Sequence, residues 1–293
     1  MTCRLWGRTS HVIAVRRLWP LLAVLALAAP PASAQNYDDA ATPRHGAQVT
    51  LLQINDVYST VPVDGLGGLA RVATIKKQVA AAGQVPLLLL GGDFLSSSVA
   101  SAVFKGEQMI AALNAAGLDI ATLGNHEFDF GVDVLVERMK QSRFDWVIAN
   151  LLDRRTGRPI GDAPPYVMRT VGGLRIGIIG LCLVTDSMAS PVVRQRVETI
   201  DPLLAAARYV PEMKAAGAEV IVALTHLGFA TDRELAARFP DIDVIVGGHE
   251  HYPITTVTGR TLITKAGSDA RYVARVDLRK REGGPVDRFF ELI

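Results

Sequence analysis

Cysteine is nearly absent: the 293 residues hold two, Cys3 and Cys182. Cys3 lies in a leader expected to be removed. Cys182 then has no partner for an intramolecular disulfide, and in the apolar stretch Ile176 to Val184 it reads as a buried thiol. An oxidising compartment is permitted but not demanded. The apolar run Leu18 to Ala29 falls short of the roughly 20 residues a bilayer-spanning helix needs, so no transmembrane segment is expected after leader removal. No basic stripe with interleaved aromatics appears, which argues against a nucleic-acid groove. Internal repeats, low-complexity tracts and an obvious domain linker are also lacking.

The leader has the grammar of a secretory signal. Arg4, Arg8, Arg16 and Arg17 come with no acidic residue, a short apolar run follows, and Ala32-Ser33-Ala34 gives the small-x-small pattern before Gln35. Cleavage after Ala34 is expected, with a periplasmic or secreted product. The whole chain carries 31 basic and 29 acidic residues, net +2. Removing the leader's four Arg leaves 27 against 29, net −2. The expected organisation is a signal peptide over 1–34, a flexible polar tether over 35–47 and one catalytic domain over 48–293.

From Val49 onward, apolar strand-like runs alternate with amphipathic segments. Val49 to Ile54, Val85 to Leu90, Ile120 to Leu123, Trp146 to Asn150, Glu219 to Leu224 and Ile242 to Val246 read as strands. The near-continuous leucines of the second suit a strand covered on both faces. Helical spacing covers Leu69 to Ala82, Glu107 to Ala116, Val132 to Gln141, Pro202 to Ala216 and Asp232 to Phe239, several closed by Gly. Tyr166 to Val171 and Leu174 to Leu181 flank Gly172-Gly173, a hairpin signal. Asp153 to Pro165 is a Pro/Gly/Arg-rich excursion. Thr261 to Ile293 is strand-like, with turns at Gly267 and Gly283-Gly284. An α/β start and an antiparallel end fit a sandwich of two sheets with helices outside.

Five of the apolar runs end in polar clusters: Asn55-Asp56, Gly91-Gly92-Asp93, Gly124-Asn125-His126-Glu127, Thr225-His226 and Gly247-Gly248-His249-Glu250-His251. Ligands of open α/β sheets bind beyond the carboxyl ends of the strands, where these clusters would converge. Carboxylates, imidazoles and an Asn carbonyl suit borderline divalent metals such as Mn, Zn or Fe. Singly, each has a plainer reading: a lone Asp caps a helix or turns the chain, a lone His sits in a core or a loop. Five coincidences at strand ends point to a metal site.

In this order the residues resemble the calcineurin-like metallophosphoesterases. Asn55-Asp56-Val57-Tyr58, Gly67-Gly68-Leu69-Ala70-Arg71 and Gly124 to Asp129 are similar to the 5′-nucleotidase branch. The resemblance implies a four-layer α/β/β/α sandwich and two divalent ions. It implies that Asp93 bridges them, that Asp56 and His251 hold one, and that Asn125, His226 and His249 hold the other. It places His126 beside the leaving group, oriented by Asp129, for which a cap of the helix at Val132 is the rival reading. The implied reaction is hydrolysis of a small phosphorylated substrate by a metal-bound hydroxide, the substrates including nucleotides or cyclic nucleotides.

Two departures bear on this. The family position filled here by Tyr58 expects His; the phenol either ionises as a ligand with a preference for iron, or swings aside against the Gly65 to Leu69 loop. The resemblance covers the catalytic domain alone, so the base-stacking aromatics of the second domain in secreted 5′-nucleotidases are not carried over. Two alternatives follow: a metal-binding protein with turnover impaired by Tyr58, and a hydrolase of a sulfur ester on the same centre.

Overall fold

A computed structural model describes residues 46–183 and 190–293. The expected leader, all but the last two residues of the expected tether, and His45 lie outside the described residues. In chain order come β1 (Val49–Ile54), α1 (Leu69–Ala81), β2 (Val85–Gly91), α2 (Val99–Phe104), α3 (Glu107–Ala116), β3 (Ile120–Thr122), α4 (Val132–Gln141) and β4 (Asp145–Trp146). Then follow β5 (Leu151–Asp153), β6 (Arg158–Pro159), β7 (Tyr166–Val171), β8 (Leu174–Cys182), α5 (Pro191–Arg196), β9 (Val197–Thr199) and α6 (Pro202–Ala215). The remainder is β10 (Val220–His226), α7 (Phe229–Arg238), β11 (Val244–Gly247), β12 (Pro253–Thr258), β13 (Thr261–Ala266), β14 (Ala274–Lys280) and β15 (Val286–Leu292).

Two six-stranded sheets carry the fold. The first runs β15-β14-β1-β2-β3-β4, and the second β12-β13-β11-β10-β8-β7. A small sheet, β6-β5-β9, is built from the Pro/Gly/Arg-rich excursion and its return strand. In the first sheet β1 to β4 are parallel, and β14 joins β1 antiparallel. In the second, β8, β10, β11 and β13 are parallel, with β7 and β12 antiparallel at the edges.

The period of two along each strand builds the layers. Leu87 and Leu89 of β2 pack with Ile176, Ile178, Val222 and Val246 between the sheets. Leu88 and Leu90 point the other way, into a cluster with Val72, Ile75, Met109 and Leu113 of α1 and α3. Ile221 and Ala223 of β10 meet Ala206, Val210 and Leu235 of α6 and α7 on the far side. The result is the α/β/β/α sandwich. The sheets are also bonded to each other: Gln53 on β1 donates to the carbonyl oxygens of Gly247 at 2.8 Å and Thr264 at 3.1 Å. Among the described residues no helix is long and apolar enough to cross a membrane.

Most expected elements stand within a residue or two of their bounds. Gly172 and Gly173, with φ of 53° and 78°, make the two-residue hairpin between β7 and β8. The expected strand Trp146 to Asn150 is different. Val147 N still donates to Ala121 O as the last rung of the β3–β4 pairing, and beyond it Ile148 N bonds to Pro164 O and Ala149 N to Gly180 O. The amides of Ile148 and Ala149 are satisfied by two separate segments and continue no ladder. Helix α2 has only six residues, started by Ser98, whose hydroxyl accepts from Ser101 N. Edge strand β12 opens on Pro253, where no ladder donor is needed.

Candidate metal centre

The carboxyl ends of three neighbouring parallel strands of the first sheet face those of two of the second. Asp56 follows β1, Asp93 follows β2, and Asn125 and His126 follow β3. His226 ends β10, and His249 and His251 follow β11. All eight residues singled out in the sequence, Asp129 included, lie on these turns. One oxygen of Asp56, one of Asp93 and one ring nitrogen of His226 lie within 4.8 Å of one another. All three residues are buried.

Backbone conformation aims these groups. Asp56, Asp93 and His249 have φ of 53°, 57° and 79°. Non-glycine residues enter this left-handed region at a cost, and Asp is among the more tolerant. The cost is held down by bonds. Asp56 N donates to Gly92 O at 3.0 Å, and His249 N donates to Asp56 Oδ2 at 2.9 Å, where Asn55 Nδ2 also donates at 2.7 Å. Gly124 is required by close approach: a Cβ there would fall onto Asp93 Oδ1 and lie 2.6 Å from Asp93 N.

His226 donates through Nδ1 to Gly91 O at 2.7 Å, since a carbonyl only accepts. That bond turns Nε2 toward Asp93 Oδ2, 3.1 Å away. The pair attracts by charge but is not aligned as a hydrogen bond, and Nε2 has no bonded partner. Burial alone would lower the imidazole; the Asp93 carboxylate outweighs it and pushes His226 up to about 9. Asp93 itself is desolvated by burial, yet the His226 charge holds it below the usual carboxylate range. The Asn125 Oδ1 atom is also buried without a partner. Two unsatisfied buried ligand atoms, with two carboxylates beside them, fit a cation and would be costly without one. The mixed oxygen and nitrogen donors suit Mn, Zn or Fe.

The rings of His226 and His249 stand 5.3 Å apart at 71°. Burial, then the His226 charge, holds His249 below its ordinary value. His251 is the exposed member; its Nε2 lies 3.2 Å from Asp56 Oδ1, and that bond raises it. Tyr58 turns its hydroxyl into the site, 3.1 Å from His251 Nε2 and 3.3 Å from Asp56 Oδ1. Burial first, then the charges of Asp93 and Asp56, keep the phenol protonated in the metal-free chain.

His126 does not point where Asn125 does. Its backbone N donates to Asp93 Oδ1 at 2.8 Å, while its Nδ1 meets Asp129 Oδ2 at 2.8 Å. The Asp129 bond, working against burial, lifts His126 to about 8. Ser96 also donates to Asp129 Oδ2, at 2.6 Å. Asp129 does not cap α4, whose N-cap is Gly131 with no side-chain bond.

Sequence reasoning passed over Glu127. This buried carboxylate accepts from Asp93 N at 2.8 Å, Phe94 N at 2.7 Å, Leu95 N at 3.1 Å and Gly124 N at 2.5 Å. It clamps the turn that carries Asp93. Burial and then the Asp93 charge raise it to about 7, against the pull of the four donors. Its place in Gly124-Asn125-His126-Glu127 was the available signal. Lys265, Asp232 and Glu250 behind the two histidine turns were missed as well.

Two stacked sheets with carboxylate and imidazole turns gathered at their strand ends give the chain a candidate metal-binding α/β/β/α architecture. The family model of calcineurin-like phosphoesterases matches residues 49–253, and the chain belongs to that family. It is 31% identical over 249 residues to the 5′-nucleotidase of Bos taurus, covering 80% of this chain and 43% of that protein. It is 31% identical over 226 residues to the 2′,3′-cyclic-nucleotide 2′-phosphodiesterase/3′-nucleotidase of Haemophilus influenzae, covering 67% and 34%. The crystal structure of a 5′-nucleotidase precursor from Thermus thermophilus superposes with a TM-score of 0.73 at 29% identity, covering 84% of this chain and 54% of that one. The chain thus spans less than half the length of these curated relatives. Its relatives and structural neighbours place it in the 5′-nucleotidase-like branch of that family.

Proposed function

We propose that the chain hydrolyses phosphate esters of nucleotides or cyclic nucleotides with two divalent ions, Mn, Zn or Fe, held in the strand-end pocket. The observation that carries this is the convergence of Asp56, Asp93 and His226 within 4.8 Å, beside two buried ligand atoms with no partner. Asp93 would serve both ions, Asp56 and His251 one, and Asn125, His226 and His249 the other. When bound, such ions draw charge from the phosphoryl oxygens and bring the ionisation of water near neutral pH. His126, which its Asp129 bond lifts to about 8 in the metal-free chain, would give a proton to the leaving oxygen. Asp129 fixes that ring, and Ser96 fixes Asp129. Removal of residues 1–34 and activity of residues 48–293 in the periplasm or outside the cell complete the reading. The relatives' names support nucleotide substrates.

A metal-binding protein with impaired turnover is the second reading, favoured by the Tyr58 hydroxyl at hydrogen-bond distance from both His251 and Asp56. One experiment tests both. Purified protein is assayed on p-nitrophenyl phosphate, its bis ester and a panel of nucleotides and cyclic nucleotides, with each metal and with chelator. Metal-dependent turnover that Asp93→Asn abolishes along with metal content supports the first reading. Two bound ions with no turnover on any ester supports the second. Turnover that survives chelation and Asp93→Asn overturns both.

A further inference from the structure

Behind the turns that carry His226 and His249 lies a cluster of buried charge that no step above uses. Lys265 on β13, Asp232 in the first turn of α7 and Thr225 on β10 are all fully buried. The Lys265 ammonium donates to Leu227 O at 2.7 Å, to Gly248 O at 2.7 Å and to Glu250 Oε2. An ammonium has three hydrogens, so these contacts use them all. A fourth oxygen, Asp232 Oδ2, also stands 2.7 Å away but has no hydrogen-bond alignment; it is held by charge alone.

The places of these contacts matter more than their number. Leu227 follows His226, and Gly248 precedes His249. Thr225, just before His226, donates to Asp232 Oδ1 at 2.8 Å. Glu250, just after His249, accepts from Phe229 N at 2.7 Å through its other oxygen. One cation therefore ties together the backbone on either side of two imidazoles whose rings are 5.3 Å apart. Stability is a poor reason for this arrangement, because buried ion pairs seldom improve on apolar packing of the same volume. Asp56, the partner of His251, accepts from Asn55 Nδ2 and, on the same turn as Gly248, from His249 N; the three hydrogens of Lys265 go to Leu227, Gly248 and Glu250 and to neither Asp56 nor His251.

We propose that Lys265 is a positioning residue that sets the spacing of His226 and His249, and through it the affinity of the one ion those two imidazoles hold. This rests on the two-ion reading. Groups that orient metal ligands typically change metal affinity by about 10–100-fold when removed.

The test uses the full mature chain. Lys265→Met removes the donors, and Lys265→Met with Asp232→Asn does so while keeping the formal charge of the cluster, which guards against a variant that does not fold. Apo-protein of each form is titrated with Mn or Zn in a calorimeter, folding is checked by circular dichroism, and nitrogen-15 spectra of the imidazoles follow zinc binding. The wild type should take two ions. The folded variant should keep one near wild-type affinity and hold the other about 10–100-fold more weakly, with the His226 and His249 signals failing to shift at stoichiometric zinc while His251 still shifts. Unchanged affinities at both sites in the folded variant overturn the proposal, as does equal weakening of both. A wild type that binds fewer than two ions instead overturns the two-ion reading, and the proposal with it.

Discussion

His126 and Asp129 are each about one-third exposed, and each sets the charge of the other. The Asp129 bond is the largest cause of the raised His126 value, about 8, and the imidazole and Ser96 hold Asp129 down against its own burial. In the metal-free protein the His126 ring signals should therefore titrate near 8, and Asp129→Asn should move the midpoint down toward an ordinary histidine. The sign for stability follows: the bond contributes below the unfolded value of about 6.5 and is lost as pH rises through about 8. Divalent ions should lower the midpoint, since they repel the proton. A midpoint unmoved by Asp129→Asn would show that the contact does not persist in solution. His126→Ala should keep the ions but lower kcat by about 10²–10⁴-fold, less for esters with good leaving groups. At Tyr58, the cost of ionising a phenol among carboxylates sets the outcome. Tyr58→His should raise Mn or Zn affinity at the Asp56 and His251 site in a calorimetric titration. Unchanged affinity at that site would place position 58 outside it.

Turns, rather than strands, separate what the sequence told from what it hid. The alternation of Leu87 to Leu90 and the polar residues just past each strand were legible, because burial on both faces and ligand chemistry leave compositional traces. The candidate ligands were picked out on those traces, and His126 and Asp129 on the family resemblance. Glu127 could not be assigned its clamp, because four backbone donors from residues 93–95 and 124 meet it only once two turns are folded together. Lys265 hid for a similar reason: one Lys in a Thr/Leu/Ile strand reads as an outward-facing residue, yet it is fully buried. The strand expected over 146–150 failed because burial was mistaken for pairing. For the clamp, Glu127→Gln leaves one acceptor oxygen where two were used, at a cost of about 1–3 kcal/mol. Urea unfolding should show that loss together with weaker metal binding; full stability and full affinity would remove Glu127 from the account. Leu89→Ala, fully buried between the sheets, should cost about 2–5 kcal/mol and leave metal stoichiometry alone.

At the scale of the molecule, the expected leader gives a direct check: protein recovered after export should have the intact mass of a chain beginning at Gln35, and full-length chain retained in the membrane would sink that expectation. The order of strands in the first sheet has another consequence. β1, whose end carries Asp56, is flanked by β2 on one side and by β14 on the other. Asp269, in the loop just before β14, donates its backbone N to Asp56 O at 2.9 Å and accepts from Tyr58 N at 3.1 Å. All eight candidate residues precede β14 in the chain, yet β14 is the strand that covers the second edge of β1. A chain stopped at Val273 holds every site side chain and still leaves β1 as an open edge, so it should bind metal poorly and aggregate.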